Sequence, residues 1–162
     1  MLDEDLKVEK AFDVIGISAR TTNNAEFSGA GVIASLWQRF FSENIIAKIP
    51  NKVDTSILAV YCDYQNNKNG EYTILIGMRV TSIKDIPEGL VSYHVPEQSY
   101  KIFPTKPGVV WAEVVEIWKT IWALEDQGLF HRAYKVDYEL YDELSSNPNN
   151  GIAEIHISCF SN

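Results

Sequence analysis

Residues 135–141 (KVDYELY) carry the densest chemistry in the sequence. In an extended strand their side chains alternate faces, so Asp137, Glu139 and Tyr141 share one side and Tyr138 and Leu140 the other. Alternation fixes which residues go together, but not which side is buried. If the Glu139 side faces solvent, the acid is an ordinary surface charge. If it faces a core, the carboxylate costs several kcal/mol unless it is paired. Burial without an internal Arg or Lys would then imply a positive charge supplied from outside the chain. The sequence also has 4 Trp, 8 Tyr and 7 Phe. Most must pack the core, but rings with polar handles are also how proteins build cages for cations.

Other chemistries are excluded one by one. Residues 28–34 contain a GxGxxA pattern, but the polar stretch TTNNAE precedes it where a dinucleotide site needs a strand. Gln65, Asn67, Asn69 and Gly70 resemble part of a calcium loop without its leading Asp, and Ile76 stands where the bidentate Glu belongs. His94, His131 and His156 have no ligand spacing to one another or to Cys62 and Cys159, so neither metal nor cofactor is expected. There is no GxSxG nucleophile elbow. With 14 basic and 22 acidic residues the net charge is −8, which disfavours nucleic acid and attracts cations. No apolar run approaches a membrane span, and the acidic start is unlike a signal peptide, so a soluble cytoplasmic protein is expected.

The elements that would position Glu139 follow from periodicity. A chain of 162 residues suits one domain. After a lead-in over residues 1–10, strands are expected at 11–20, 56–64 and 71–80, with a helix at 28–43 that Ser28 could cap. The order then repeats: a strand at 90–103 interrupted by Pro96, a helix at 109–124 ended by Gly128, and strands at 134–144 and 151–160. The helix stripes are Leu36, Trp37 and Phe40 in the first and Trp111, Val115, Trp118 and Trp122 in the second. Asn69-Gly70 and Asn150-Gly151 read as tight hairpin turns 81 residues apart, the spacing that also separates Trp37 from Trp118. Tyr61 and Tyr64 match Tyr138 and Tyr141 at 77 residues. The fold expected is therefore α+β: two βαββ units (11–80 and 90–160) about a pseudo-twofold axis, forming an antiparallel sheet with two main helices around a central groove.

Several segments also resemble one known family. Residues 61–77 (YCDYQNNKNGEYTILIG), 86–90 (IPEGL), 100–103 (YKIF), 118–122 (WKTIW) and 137–141 (DYELY) are similar, in order and spacing, to the gyrase-inhibitor-like or AraC-type effector-binding domains. The resemblance covers about residues 8–160 and implies paired βαββ units around a shared groove. It implies binding of small, lipophilic, often cationic compounds, with the groove glutamate falling on Glu139 and the helix tryptophan on Trp118. Many such domains are fused to a DNA-binding segment. Only about ten residues precede the first strand here, so the chain is similar to stand-alone drug-binding proteins of mobile gene cassettes, and DNA binding by itself is not expected.

The expected site is thus Glu139 with Trp118, Trp111, Tyr64, Tyr93 and Trp37. Tyr93 and Trp37 rest on the pseudo-twofold arrangement alone, and Tyr64 is placed on the strand face of Cys62. Two other readings stay open. Some members resemble hydrolases of strained, cyclopropane-type electrophiles, for which a glutamate in a dry pocket would be the general base. Alternatively, an acidic surface could inhibit a protein partner, as gyrase inhibitors do.

Overall fold

The structure is a computed structural model that describes residues 5–161. Residues 1–4 of the expected lead-in lie outside the described residues. The strands are β1 (Lys7–Glu9), β2 (Phe12–Thr21), β3 (Ile57–Cys62), β4 (Tyr72–Val80), β5 (Val91–Val95), β6 (Gln98–Pro104), β7 (Asp137–Tyr141) and β8 (Glu154–Cys159). The helices are α1 (Asn23–Phe27), α2 (Ile33–Ser42), α3 (Ile45–Lys48) and α4 (Val110–Asp126). All strands form one antiparallel sheet in the order β1-β6-β8-β7-β3-β4-β2-β5. The blocks β3-β4-β2 and β7-β8-β6 are the two βαββ units, and they meet at the β3–β7 ladder, where Ala59 pairs with Glu139.

The sheet cannot be flat. β1 and β2 are six inter-strand steps apart, roughly 29 Å at ~4.8 Å per step, yet two residues link them and reach at most ~11 Å. The sheet therefore curls until its ends meet. Lys7 opposite Tyr100 and Phe12 opposite Val95 lie in the same register, so β1–β6 and β2–β5 are one ladder interrupted at Lys10–Ala11 and Pro96–Glu97. Proline removes a ladder donor, and here it marks the point where the strand passes from one end of the sheet to the other.

The curl has an inside. Phe12 on β2 meets Tyr138 on β7 edge to face at 5.6 Å, although β3 and β4 lie between those strands. Val14, Leu58, Val60, Cys62, Leu75 and Tyr100 fill this interior. On the other face α2 packs on β2 and β4, burying Leu36 and Phe40 against Ile15, Ile74 and Ile76, while α4 packs on β8 and buries Val114, Trp118 and Ile121 against Ile155 and Ile157. Among the described residues α2 and α4 pack on the strands to either side of the seam strands β3 and β7, and the groove lies between the two helices.

Some local expectations need correction. Residues 7–9 pair as β1 rather than standing as a lead-in. The polar stretch before α2 holds a short helix, α1, capped by Thr22, whose Oγ1 accepts from the Ala25 N–H at 3.0 Å. α2 starts at Ile33 rather than Ser28. The Glu26 carboxylate reaches across and accepts from the Val32 and Ile33 N–H groups at 2.8 and 3.3 Å, doing the work of a cap. The Asn-Gly pairs are not tight hairpin turns, since β3 and β4 are joined by residues 63–71 and neither Asn69 nor Gly70 has a positive φ. Gly151 is the one that closeness demands, because a Cβ there would overlap the backbone oxygens of Asn147 and Leu144.

Candidate functional site

The seam strands supply the floor of the groove. From β3, Tyr61 points to the helix side; from β7, Glu139 and Tyr141 do the same, while Tyr138 and Leu140 turn to the curl interior. Tyr61 pairs with Asp137 and Ala59 with Glu139, so Tyr61 is a diagonal neighbour of the acid. α2 contributes Trp37 to one wall, and α4 contributes Trp111, Trp118 and Trp122 to the other. Together these residues enclose a cavity of about 600 Å³.

Glu139 is 3% exposed. It accepts three hydrogen bonds, each from a different element: Tyr61 Oη at 2.7 Å, Trp118 Nε1 at 2.7 Å and Tyr141 Oη at 2.5 Å. All three donors are neutral, and among the described residues no Lys, Arg or His forms an ion pair with it. Burial pushes its carboxyl above the usual carboxylate range, against the opposing pull of the three hydrogen bonds. The same burial, with the neighbouring acid, pushes the Tyr61 and Tyr141 hydroxyls up, so both remain proton donors.

The arginine in the cavity lining is engaged elsewhere. Arg132, 6% exposed and in the cavity wall, pairs with Asp137 at 2.7 Å and Glu125 at 3.3 Å and stacks on the Tyr134 ring at 4.2 Å. Asp137 also accepts from the Ser158 N–H at 2.6 Å, the Ser158 hydroxyl at 2.9 Å and the Tyr64 hydroxyl at 2.6 Å. Two carboxylates two residues apart on one face thus have different surroundings. Asp137 balances an internal cation, and Glu139 balances none.

Five of the six expected site residues line the cavity: Glu139, Trp118, Trp111, Tyr64 and Trp37. Trp111 is 72% exposed at the mouth, and Trp37 packs edge-on against Tyr141 at 5.3 Å. Tyr64 arrives by a different route from the one expected. Asp63 has φ +50°, which breaks the alternation, so Cys62 packs in the curl interior while Tyr64 turns to the groove. Tyr93 is a correction. It lies on β5 at the end of the sheet and packs in the curl interior, with its hydroxyl 3.4 Å from Asp63, because the break at Pro96 separates β5 from β6. Tyr61 and Tyr141 join the site beyond the six expected residues. The 77-residue match paired Tyr61 with Tyr138, but an odd offset places the two on opposite faces of this seam. Tyr141 was legible in principle, as the residue two beyond Glu139 in the same strand.

Comparison with known proteins bears on what such a groove is for. Residues 5–158 match the Cass2 family, described as integron-associated effector binding protein. The chain belongs to this family. Among curated proteins it is 28% identical over 144 residues to the putative transcriptional regulator YobU of Bacillus subtilis, covering 88% of this chain and 89% of that one. It is 29% identical to the transcriptional regulator BrlR of Pseudomonas aeruginosa over 91% of this chain but only 56% of BrlR's length. Among solved structures, the integron cassette protein VCH_CASS2 from the mobile metagenome of Vibrio cholerae superimposes with a TM-score of 0.76 at 25% identity, covering 95% of this chain and 94% of that one. The protein SAV2435, solved bound to tetraphenylphosphonium, shares the fold with a TM-score of 0.74 at 18% identity, over 95% of this chain and 92% of that one.

Proposed function

We propose that the groove of this effector-binding protein takes up lipophilic cations and that Glu139 is their charge partner. The observation that carries the reading is a carboxylate 3% exposed, in the wall of a large aromatic cavity, hydrogen-bonded by neutral donors and balanced by no internal cation among the described residues. A buried anion without a counter-ion is costly, and a cation entering the cavity removes that cost. Trp118, Trp111, Tyr64 and Trp37 present rings to the guest. A cation–π contact adds about 0.5–2 kcal/mol, and apolar burial roughly 25 cal/mol per Å². Charge selects the sign of the ligand, while flat rings tolerate many shapes. The fold relative SAV2435 was solved with such a cation, tetraphenylphosphonium, which supports the same ligand class here.

Titration calorimetry with tetraphenylphosphonium and the equally shaped anion tetraphenylborate tests this reading. The cation binds to the wild type and the anion does not, and Glu139→Gln loses at least tenfold in cation affinity. Equal binding of both ions, or an unchanged Kd in the variant, overturns it.

The site also favours a second reading, hydrolysis of a strained electrophile. A glutamate whose pKa burial has raised, touching two tyrosine hydroxyls, has the parts of a general base. Turnover of a reactive cyclopropane compound, lost in Glu139→Gln, would place this reading above simple binding.

A further inference from the structure

The charges lining the cavity number four: Glu26, Lys68, Arg132 and Glu139. The two cations are already neutralised by carboxylates beside them. Lys68 Nζ lies 2.5 Å from Asp126, and Arg132 lies between Asp137 and Glu125. The two anions are not neutralised. Glu26 accepts from the Thr21 hydroxyl at 2.6 Å and from the Val32 and Ile33 N–H groups, and like Glu139 it forms no ion pair among the described residues. The start of α2 offsets part of the Glu26 charge, about half a unit, and the remainder is still negative. Counting the partners of Lys68 and Arg132, five carboxylates surround the cavity against two cations.

The two unbalanced anions stand on different structural units. Glu139 is on the seam floor, and Glu26 is the penultimate residue of α1, its carboxylate at the start of α2. Two rings span the interval between them. Tyr61 donates to Glu139 and sits 5.6 Å, ring to ring, from Tyr72, whose hydroxyl in turn bonds Asn23 of α1 at 2.9 Å. The Tyr72 hydroxyl is pushed up first by burial and then by Glu26 and Glu139, so its ring lies in the field of both.

Resting on the reading of Glu139 as a cation partner, we propose that the cavity has a second cationic subsite at Glu26 and that its preferred ligands are dications, two positive groups joined by an apolar spacer laid across Tyr61 and Tyr72. One cation leaves Glu26 unanswered. A second positive group at the right distance answers it, whereas a simple alkyl tail of the same length does not.

The test compares bis(trimethylammonium)alkanes of increasing spacer length with alkyltrimethylammonium ions of matched length, by calorimetry on the whole chain. The best dication is expected to bind at least tenfold more tightly than its matched monocation, with an optimum spacer beyond which affinity falls. Glu26→Gln, which keeps an acceptor for the α2 N–H groups, is expected to erase that advantage and to weaken the best dication at least tenfold more than its matched monocation. Affinity that rises steadily with chain length regardless of the second charge overturns the proposal, as does an equal effect of Glu26→Gln on both series. If monocations bind in a Glu139-dependent way and dications gain nothing, only the second subsite fails. If neither series binds, the reading of Glu139 fails with it.

Discussion

Ala59 and Glu139 face each other across the β3–β7 ladder, so the smallest side chain on the groove side of the seam stands opposite the one acid on its floor. Tyr61 and Trp118 hold one of its oxygens and Tyr141 the other. On the reading proposed for Glu139, a proton and a ligand cation compete for one carboxylate. Cation affinity is then expected to rise with pH through the elevated pKa of Glu139 and to level off above it, with binding below that pKa releasing a proton. Calorimetry in two buffers of different ionisation enthalpy measures the released proton directly.

The same raised pKa has a sign for stability. The folded state binds the Glu139 proton more tightly than the unfolded state, whose carboxyl titrates near 4.5. The contribution is fully present below that pH and is lost as pH rises through the folded-state pKa. The Tm of Glu139→Gln relative to wild type should therefore increase as pH rises from 4.5. A difference that is flat with pH would show that the acid is not desolvated.

Removing a donor should act through Glu139. In Tyr61→Phe or Tyr141→Phe the carboxylate loses a hydrogen bond that favours its charged form, of a kind worth about 1.5–3 kcal/mol. Its pKa climbs further, the pH profile of cation binding moves upward, and affinity at neutral pH falls. A drop in affinity without movement of the profile would mean the rings matter only as packing.

Trp111 and Tyr93 form a contrasting pair. Trp111→Ala removes a ring 72% exposed at the mouth, so stability changes by no more than about 0.5 kcal/mol, while cation affinity drops by roughly the 0.5–2 kcal/mol of one ring–cation contact. Tyr93→Phe, on the curl interior, should leave the Kd unchanged. Chemical denaturation and titration of both variants separate the two effects.

Asp137→Asn should be costly to the fold. It leaves the Arg132 guanidinium buried with Glu125 as its remaining charge partner, and breaking such a pair costs about 3–5 kcal/mol. Urea unfolding checks this, and a loss below about 1 kcal/mol would show that Arg132 escapes to water.

Local periodicity made much of this legible. In α4 the buried face runs through Val110, Val114, Trp118 and Ile121, so of the expected stripe of Trp111, Val115, Trp118 and Trp122 only Trp118 is buried, while alternation in β7 correctly grouped Glu139 with Tyr141 and apart from Tyr138. What stayed hidden depends on long-range register or on single backbone angles. Tyr61 reaches Glu139 because two strands 78 positions apart pair in one register, which neither strand encodes alone. Tyr64 reaches the groove through the left-handed Asp63, and Tyr93 misses it because the chain breaks at Pro96. A five-residue helix at α1 is too short for a periodic signal, and its one local mark is the capping residue Thr22.

The stitched sheet has one more consequence. Its exposed rims are the three residues of β1 and the five of β5, too short to recruit a neighbouring molecule by strand addition. Joined to a net charge of −8, which makes copies of the chain repel one another, this permits a sticky entrance carrying Trp111 and Phe27 on the outside without inviting fibrils or clumping.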